Sequence, residues 1–180
     1  MTPSVTESWQ RGCLQVYTGS GKGKTTAALG LALRALGAGL RVYWGSFCKG
    51  RPVSELQGLE RFGGQITVRQ FGRPGMIWGE PTAADIQAAR EGLAEARQAL
   101  QSGDYEVVIL DEANVALHLG LLELAELQAL IEARPPRVEL VLTGRDAAPE
   151  IMACADLVTE MLELKHPYTT GLHARRGIEE

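Results

Sequence analysis

A chain of 180 residues can bury one sizeable core and is too short for two ordinary domains, so a single domain must carry all of its chemistry. Its 45% hydrophobic and 22% charged residues give ordinary globular composition, which excludes a disordered or collagen-like chain. Eighteen basic residues against 22 acidic ones leave a net charge of −4; no global positive field draws the protein to nucleic acid or to an anionic membrane, and any anion site must be local.

The polar stretch MTPSVTESWQR has no apolar core behind a basic start, and residues 1–11 read as a flexible N-terminal tail ahead of a domain expected over 12–180. Nowhere do 18 apolar residues run together, so no membrane span is expected. Cys13, Cys48 and Cys154 are odd in number, scattered, and form no CxxC pair, which predicts a reduced, cytoplasmic protein.

The first predicted strand is CLQVYT from Cys13. A helix follows from Lys24 to about Leu36, stopped by Gly37 and Gly39. Strands come next at LRVYWGSF from Leu40 and QITVRQF from Gln65. Thr82 is the expected N-cap of a helix carrying Ile86, Ala89, Leu93, Ala96 and Leu100 at spacings of three and four. The remaining elements are the strand YEVVIL from Tyr105, the helix LLELAELQALIEA before Pro135, the strand RVELVL from Arg137, the helix APEIMACA and the strand DLVTEM from Asp156.

Strands alternating with crossover helices predict an α/β fold, a mostly parallel sheet with helices on both faces. Ligands of such sheets sit beyond the carboxyl ends of the strands, so the loops beginning at Thr18, Cys48, Phe71, Asp111 and Thr143 should share one surface.

Glycine is the compositional outlier, at 21 residues or about 12% against roughly 7% in average usage. Three of them fall in TGSGKGKTT, Thr18 to Thr26, between a predicted strand and a predicted helix. Gly19, Gly21 and Gly23 let consecutive N–H groups approach an anion, and the helix start adds its positive dipole end. Ser20, Lys22 and Thr26 complete the cradle; Lys24 supplies a charge to phosphates and Thr25 a hydroxyl ligand for magnesium. Counting back from Gly23 puts Thr18 where the GxxxxGK[ST] pattern has its first glycine, so the loop is one residue short.

A second signal is VVILDE, where Asp111 and Glu112 end a buried strand at the normal place for acids near a magnesium ion. Arg145, after LTG, either faces the nucleotide or caps a helix. His118, His166 and His173 have no metal-ligand spacing, no GxSxG elbow occurs, and no NKxD-type guanine reader follows the late strands. The pairs Lys22 with Lys24 and Arg175 with Arg176 are too few for a nucleic-acid face; they read as phosphate contacts or solvated charge.

Taken together, the short P-loop, FCKG at Phe47 to Gly50, VVILDE, LTGR, ADLVTEM and the closing KHPYTTGLHARRGIE resemble the P-loop ATP:corrinoid adenosyltransferases of the CobA/CobO/BtuR type. The resemblance runs from about Gly12 to Glu179. It implies transfer of the 5′-deoxyadenosyl group of ATP to the Co(I) of a corrinoid, cobalamin or cobyrinic acid a,c-diamide, with release of triphosphate. It implies triphosphate binding by Gly19 to Thr26, magnesium (or manganese) on Thr25 and Glu112 with Asp111 as a further candidate, and Lys24, Thr25 and Glu112 as the catalytic set. It also implies a homodimer and an electron donor, often a flavoprotein.

The family crowds the lower corrinoid face with an aromatic pair in a pattern like GFTWE. Here the stretch reads Gly75, Met76, Ile77, Trp78, Gly79: Trp78 matches, while Met76 and Gly79 depart. Met76 and Trp78 either fill that corrinoid face or are plain loop packing. The alternatives are a P-loop kinase or ATPase acting at the β–γ bond, and a non-catalytic nucleotide or corrinoid carrier. The segment Phe71 to Gly79, the C-terminal tail and a partner's N-terminus are expected to complete the substrate site, because so small a sheet has little surface beyond its ATP edge.

Overall fold

The sheet is built from residues whose two faces are both apolar, and helices cover each face. The computed structural model describes residues 11–50, 53–73, 77 and 79–179. Its strands are β1 (Leu14–Thr18), β2 (Val42–Phe47), β3 (Ile66–Phe71), β4 (Val107–Asp111), β5 (Glu139–Thr143) and β6 (Leu157–Glu160). Its helices are α1 (Lys24–Gly37), α2 (Ser54–Leu59), α3 (Ala83–Gln101), α4 (Ala113–His118), α5 (Leu124–Glu132) and α6 (Pro149–Ala153), with 3₁₀ turns at Glu60–Gln65 and Pro167–Thr170.

All five strand pairings are parallel, in the order β3-β2-β4-β5-β1-β6. In β4, Val107 and Ile109 point into a core shared with α1 and α2, whereas Val108 and Leu110 point into a second core under α3, α4, α5 and α6. Every residue of β2, β4 and β5 is buried, as expected of central parallel strands. β6, at the edge, is exposed along its whole length.

Local chemistry sets the helix limits. Thr82 and Asp85 form a reciprocal capping box at the start of α3, satisfying amides the helix cannot. α1 runs on to Gly37, and Gly39 at φ 82 turns the chain away. The third long helix starts at Leu124 rather than at Leu121, because Glu123 and Glu126 build a capping box there while Leu121 and Leu122 are buried in the preceding turn. Helices α2 and α4, six residues each, have too few turns to show a sequence period.

This order sets the four strands β2, β4, β5 and β1 side by side. Their carboxyl ends therefore bring Cys48 and Lys49, Asp111 and Glu112, Thr143 to Arg145, and Thr18 to Thr26 to one edge.

Candidate active site

The loop after β1 is held in shape before any ligand binds. Gly21 N–H donates to the Met161 carbonyl at 2.6 Å, tying the loop to the chain leaving β6. A Cβ at position 21 would sit 2.7 Å from the Leu162 carbonyl carbon and oxygen, so only glycine fits. Lys24, 8% exposed, donates from Nζ to the carbonyls of Gly19 and Gly21, both at 2.7 Å. Its pKa is lowered by burial first and then by nearby Arg145, so this ammonium is costly to keep and available to an anion that compensates it. Helix α1 starts at Lys24 with no side-chain cap and no acid in its first turn, leaving its positive end open to a phosphate.

A polar network runs behind this loop. Asp111 is fully buried, and its Oδ1 accepts hydrogen bonds from the hydroxyls of Thr25 at 2.9 Å and Thr143 at 2.7 Å. Its Oδ2 accepts from Lys49 Nζ at 2.7 Å, and Glu55 lies 3.6 Å from the same ammonium. Burial alone would lower the Lys49 pKa, but Asp111, Glu112 and Glu55 together outweigh it and raise the value. Thr143 Oγ1 also accepts from Glu112 N–H at 3.0 Å.

Glu112 takes a left-handed conformation at φ 60, which turns the chain sharply from β4 into α4. Its carboxylate makes no hydrogen bond or ion pair among the described residues, and burial, followed by the charge of Asp111, pushes its pKa above the ordinary glutamate value.

These groups open into a cavity of about 970 Å³. Gly21 to Thr26, Lys49, Glu112 and Arg145 line one side, and the C-terminal segment lines the other with His166, Tyr168, Leu172, His173 and Ile178. Lys22 fastens that segment by donating from Nζ to the Ile178 carbonyl at 3.0 Å and to Glu179 at 3.1 Å.

The family model described as ATP:corrinoid adenosyltransferase BtuR/CobO/CobP matches residues 10–179. The chain belongs to the ATP:corrinoid adenosyltransferase family. Relatives include the corrinoid adenosyltransferase of Pseudomonas aeruginosa, 39% identical over 94% of this chain and 84% of that protein. That of Escherichia coli K12 is 35% identical over 94% and 86%, and Salmonella typhimurium corrinoid adenosyltransferase CobA is 34% identical over the same shares. Among solved structures, the RadB recombinase has TM-score 0.51 at 17% identity, covering 88% of this chain and 78% of its own. A KaiC-like protein from Pyrococcus horikoshii has TM-score 0.53 at 14% identity, covering 87% and 75%. Both are similar in fold, which is that of a P-loop, RecA-like sheet.

In this adenosyltransferase-family chain the expected residues separate by position. Gly21, Lys22, Gly23, Lys24, Thr25, Thr26, Glu112 and Arg145 all line the cavity. Gly19 and Ser20 do not: Gly19 lies against the Met161 backbone and Ser20 faces solvent. Asp111 is also absent from the cavity wall, sealed behind Thr25 and Lys49. Lys22 is spent on the C-terminal segment, while Arg145 lines the cavity. Met76 and Trp78 lie outside the described residues; Phe71 before them and Ile77 between them pack against the α3-side core. Lys49 and Thr143 carry no individual role in the sequence pattern, and His166 and His173 enter only as part of the C-terminal tail. The position of FCKG and LTG at strand carboxyl ends was the available signal for the first two.

Proposed function

We propose that the chain transfers the 5′-deoxyadenosyl group of ATP to the Co(I) of a corrinoid, releasing triphosphate, as its family membership implies. The observation that carries this reading is the cradle itself. A shortened glycine loop, an uncapped helix start and the Lys24 ammonium converge on one end of a cavity large enough for a nucleotide with room beside it.

In the reaction the electron pair of Co(I) attacks C5′, a cobalt–carbon bond forms, and the bond from C5′ to its phosphate oxygen breaks with both electrons leaving on triphosphate. Cobalt is formally oxidised to Co(III). The nucleophile belongs to the substrate, so the chain needs to orient C5′ and stabilise the charge of the leaving group. The loop from Lys22 to Thr26 and the start of α1 line the cavity where that charge would sit, and Lys24 can exchange its two carbonyl partners for phosphate oxygens. Arg145 adds a second cation on the same wall.

The residues present fit a hard divalent cation, magnesium or manganese. Thr25 and Glu112, whose carboxylate has no hydrogen-bond or ion-pair partner among the described residues, bring oxygen donors to the cavity lining. When bound, such an ion would spread the developing negative charge of the triphosphate.

The reading extends to a homodimer: Leu157 and Val158 of β6 and Leu162 and Leu164 beyond it are exposed, apolar surface of the kind a second copy buries. A cytoplasmic location is supported by three free cysteines, and no helix among the described residues is long and apolar enough to cross a membrane. A flavoprotein remains the proposed class of electron donor.

The deciding experiment incubates the protein with Mg-ATP and chemically reduced corrinoid. Triphosphate and a cobalt–carbon absorption spectrum are expected; ADP and phosphate would mean cleavage at the β–γ bond, and no turnover even of bound Co(I) corrinoid would mean a carrier.

A further inference from the structure

Lys49 sits where a cation is needed. Its ammonium closes on Oδ2 of the buried Asp111 at 2.7 Å, while the Thr25 and Thr143 hydroxyls fill Oδ1. Three donors hold Asp111 without a metal, and it does not reach the cavity wall. The lysine is held there by its backbone: Cys48 is left-handed at φ 57, turning the chain back toward β4, and Gly72 packs so closely that a Cβ would lie 2.9 Å from the Lys49 nitrogen. Glu55, 3.6 Å away, steadies the ammonium from the opposite side.

We propose that Lys49 is a positioning residue that acts as the resident counter-ion of Asp111, keeping that carboxylate committed to Thr25 and off the metal, so that a divalent cation enters only together with the triphosphate. The inference rests on the reading that Thr25 and Glu112 face a metal-bound nucleotide. Asp111, Glu112 and Glu55 are opposed by Lys49, Lys24 and Arg145, which leaves little uncompensated negative charge for a free divalent ion. A nucleotide brings its own negative charge, and only then does a divalent ion gain. Asp111 contributes by fixing the hydroxyl direction of Thr25 rather than by touching the ion.

The test measures binding of Mn²⁺ alone, without nucleotide or corrinoid, by the loss of its free electron paramagnetic resonance signal. Wild type should bind Mn²⁺ weakly until ATP is added. Lys49→Met should bind Mn²⁺ on the order of tenfold more tightly, because it frees a buried carboxylate oxygen beside Glu112. Lys49→Met with Asp111→Asn should return to the wild-type level, and Lys49→Arg should never leave it. A Lys49→Met protein that is folded by circular dichroism but binds Mn²⁺ no more tightly than wild type would overturn the proposal. Should that variant fail to fold, the wild type still decides: tight Mn²⁺ binding in the absence of nucleotide would overturn it equally. Because no corrinoid is present, failure of adenosyl transfer and failure of this inference are read separately.

Discussion

Replacing Thr143 by valine removes one hydroxyl and keeps the shape of a side chain that is fully buried at the end of β5. That hydroxyl makes two bonds: it donates to Asp111 Oδ1 at 2.7 Å and accepts from Glu112 N–H at 3.0 Å. The bond to a charged carboxylate is worth about 1.5–3 kcal/mol, and a buried N–H left without a partner costs about 1–3 kcal/mol. Lys49 and Thr25 still hold Asp111, so the low end of each range applies and a loss of about 2.5 kcal/mol is expected. For a domain of this size that is roughly 5–10 °C in Tm. Thermal unfolding by circular dichroism reads the shift, with Thr143→Ser, which keeps the hydroxyl, as the control. Because Glu112 loses the bond that fixes its left-handed turn, KM for Mg-ATP should rise in Thr143→Val and not in Thr143→Ser. A Tm within about 2 °C of wild type would show that the network does not hold the turn as argued.

Lys24→Ala removes the ammonium facing the leaving group and should lower kcat by roughly 10²–10³, the cost of one preorganised charge partner; near-normal turnover would show that the cradle is misassigned. Gly21→Ala drives a Cβ to 2.7 Å from the Leu162 backbone and should destabilise the fold by about 1–3 kcal/mol, read as a lower urea midpoint with unchanged slope. Glu112→Gln should separate stability from function. The Glu112 pKa is raised in the folded state, so above that raised value the folded protein holds a charge that it disfavours, and stability is gained as pH falls from the folded value toward the unfolded one. The neutral variant should therefore melt no lower than wild type at neutral pH while losing metal-dependent turnover, and a clearly lower Tm would contradict this. The Cys48 thiol is pushed up to about 12, by burial first and then by Glu112, so iodoacetamide at pH 8 should label exposed Cys154 and leave Cys48 unmodified.

The lower corrinoid face was read from Gly75 to Gly79, and Met76 and Trp78 lie outside the described residues, so that expectation stands on sequence alone. The other face of the cavity was foreseen only in outline. A C-terminal tail was expected to help enclose the substrate, and the structure puts His166, Tyr168 and His173 on the cavity wall with Lys22 fastening Glu179. Two basic side chains of the same short loop thus have opposite duties, Lys24 turned into the cradle and Lys22 out to the tail. Their spacing could not show this, because it depends on where a segment more than 150 residues later returns.

By itself, the sequence determined what is local. Alternating apolar runs make strands buried on both faces, Thr82 and Gly39 punctuate helices, and glycines at 19, 21 and 23 with Lys24 and Thr25 make a phosphate loop one residue short of the common pattern. These follow from backbone freedom and hydrogen-bond supply over a few residues. Tertiary structure decided which acid does what. Asp111 and Glu112 are neighbours with the same charge, yet a parallel register carries the first into a sealed network with Thr25, Thr143 and Lys49, and a left-handed turn swings the second to the cavity. That division depends on strands brought side by side from distant parts of the chain, and no spacing along the chain encodes it.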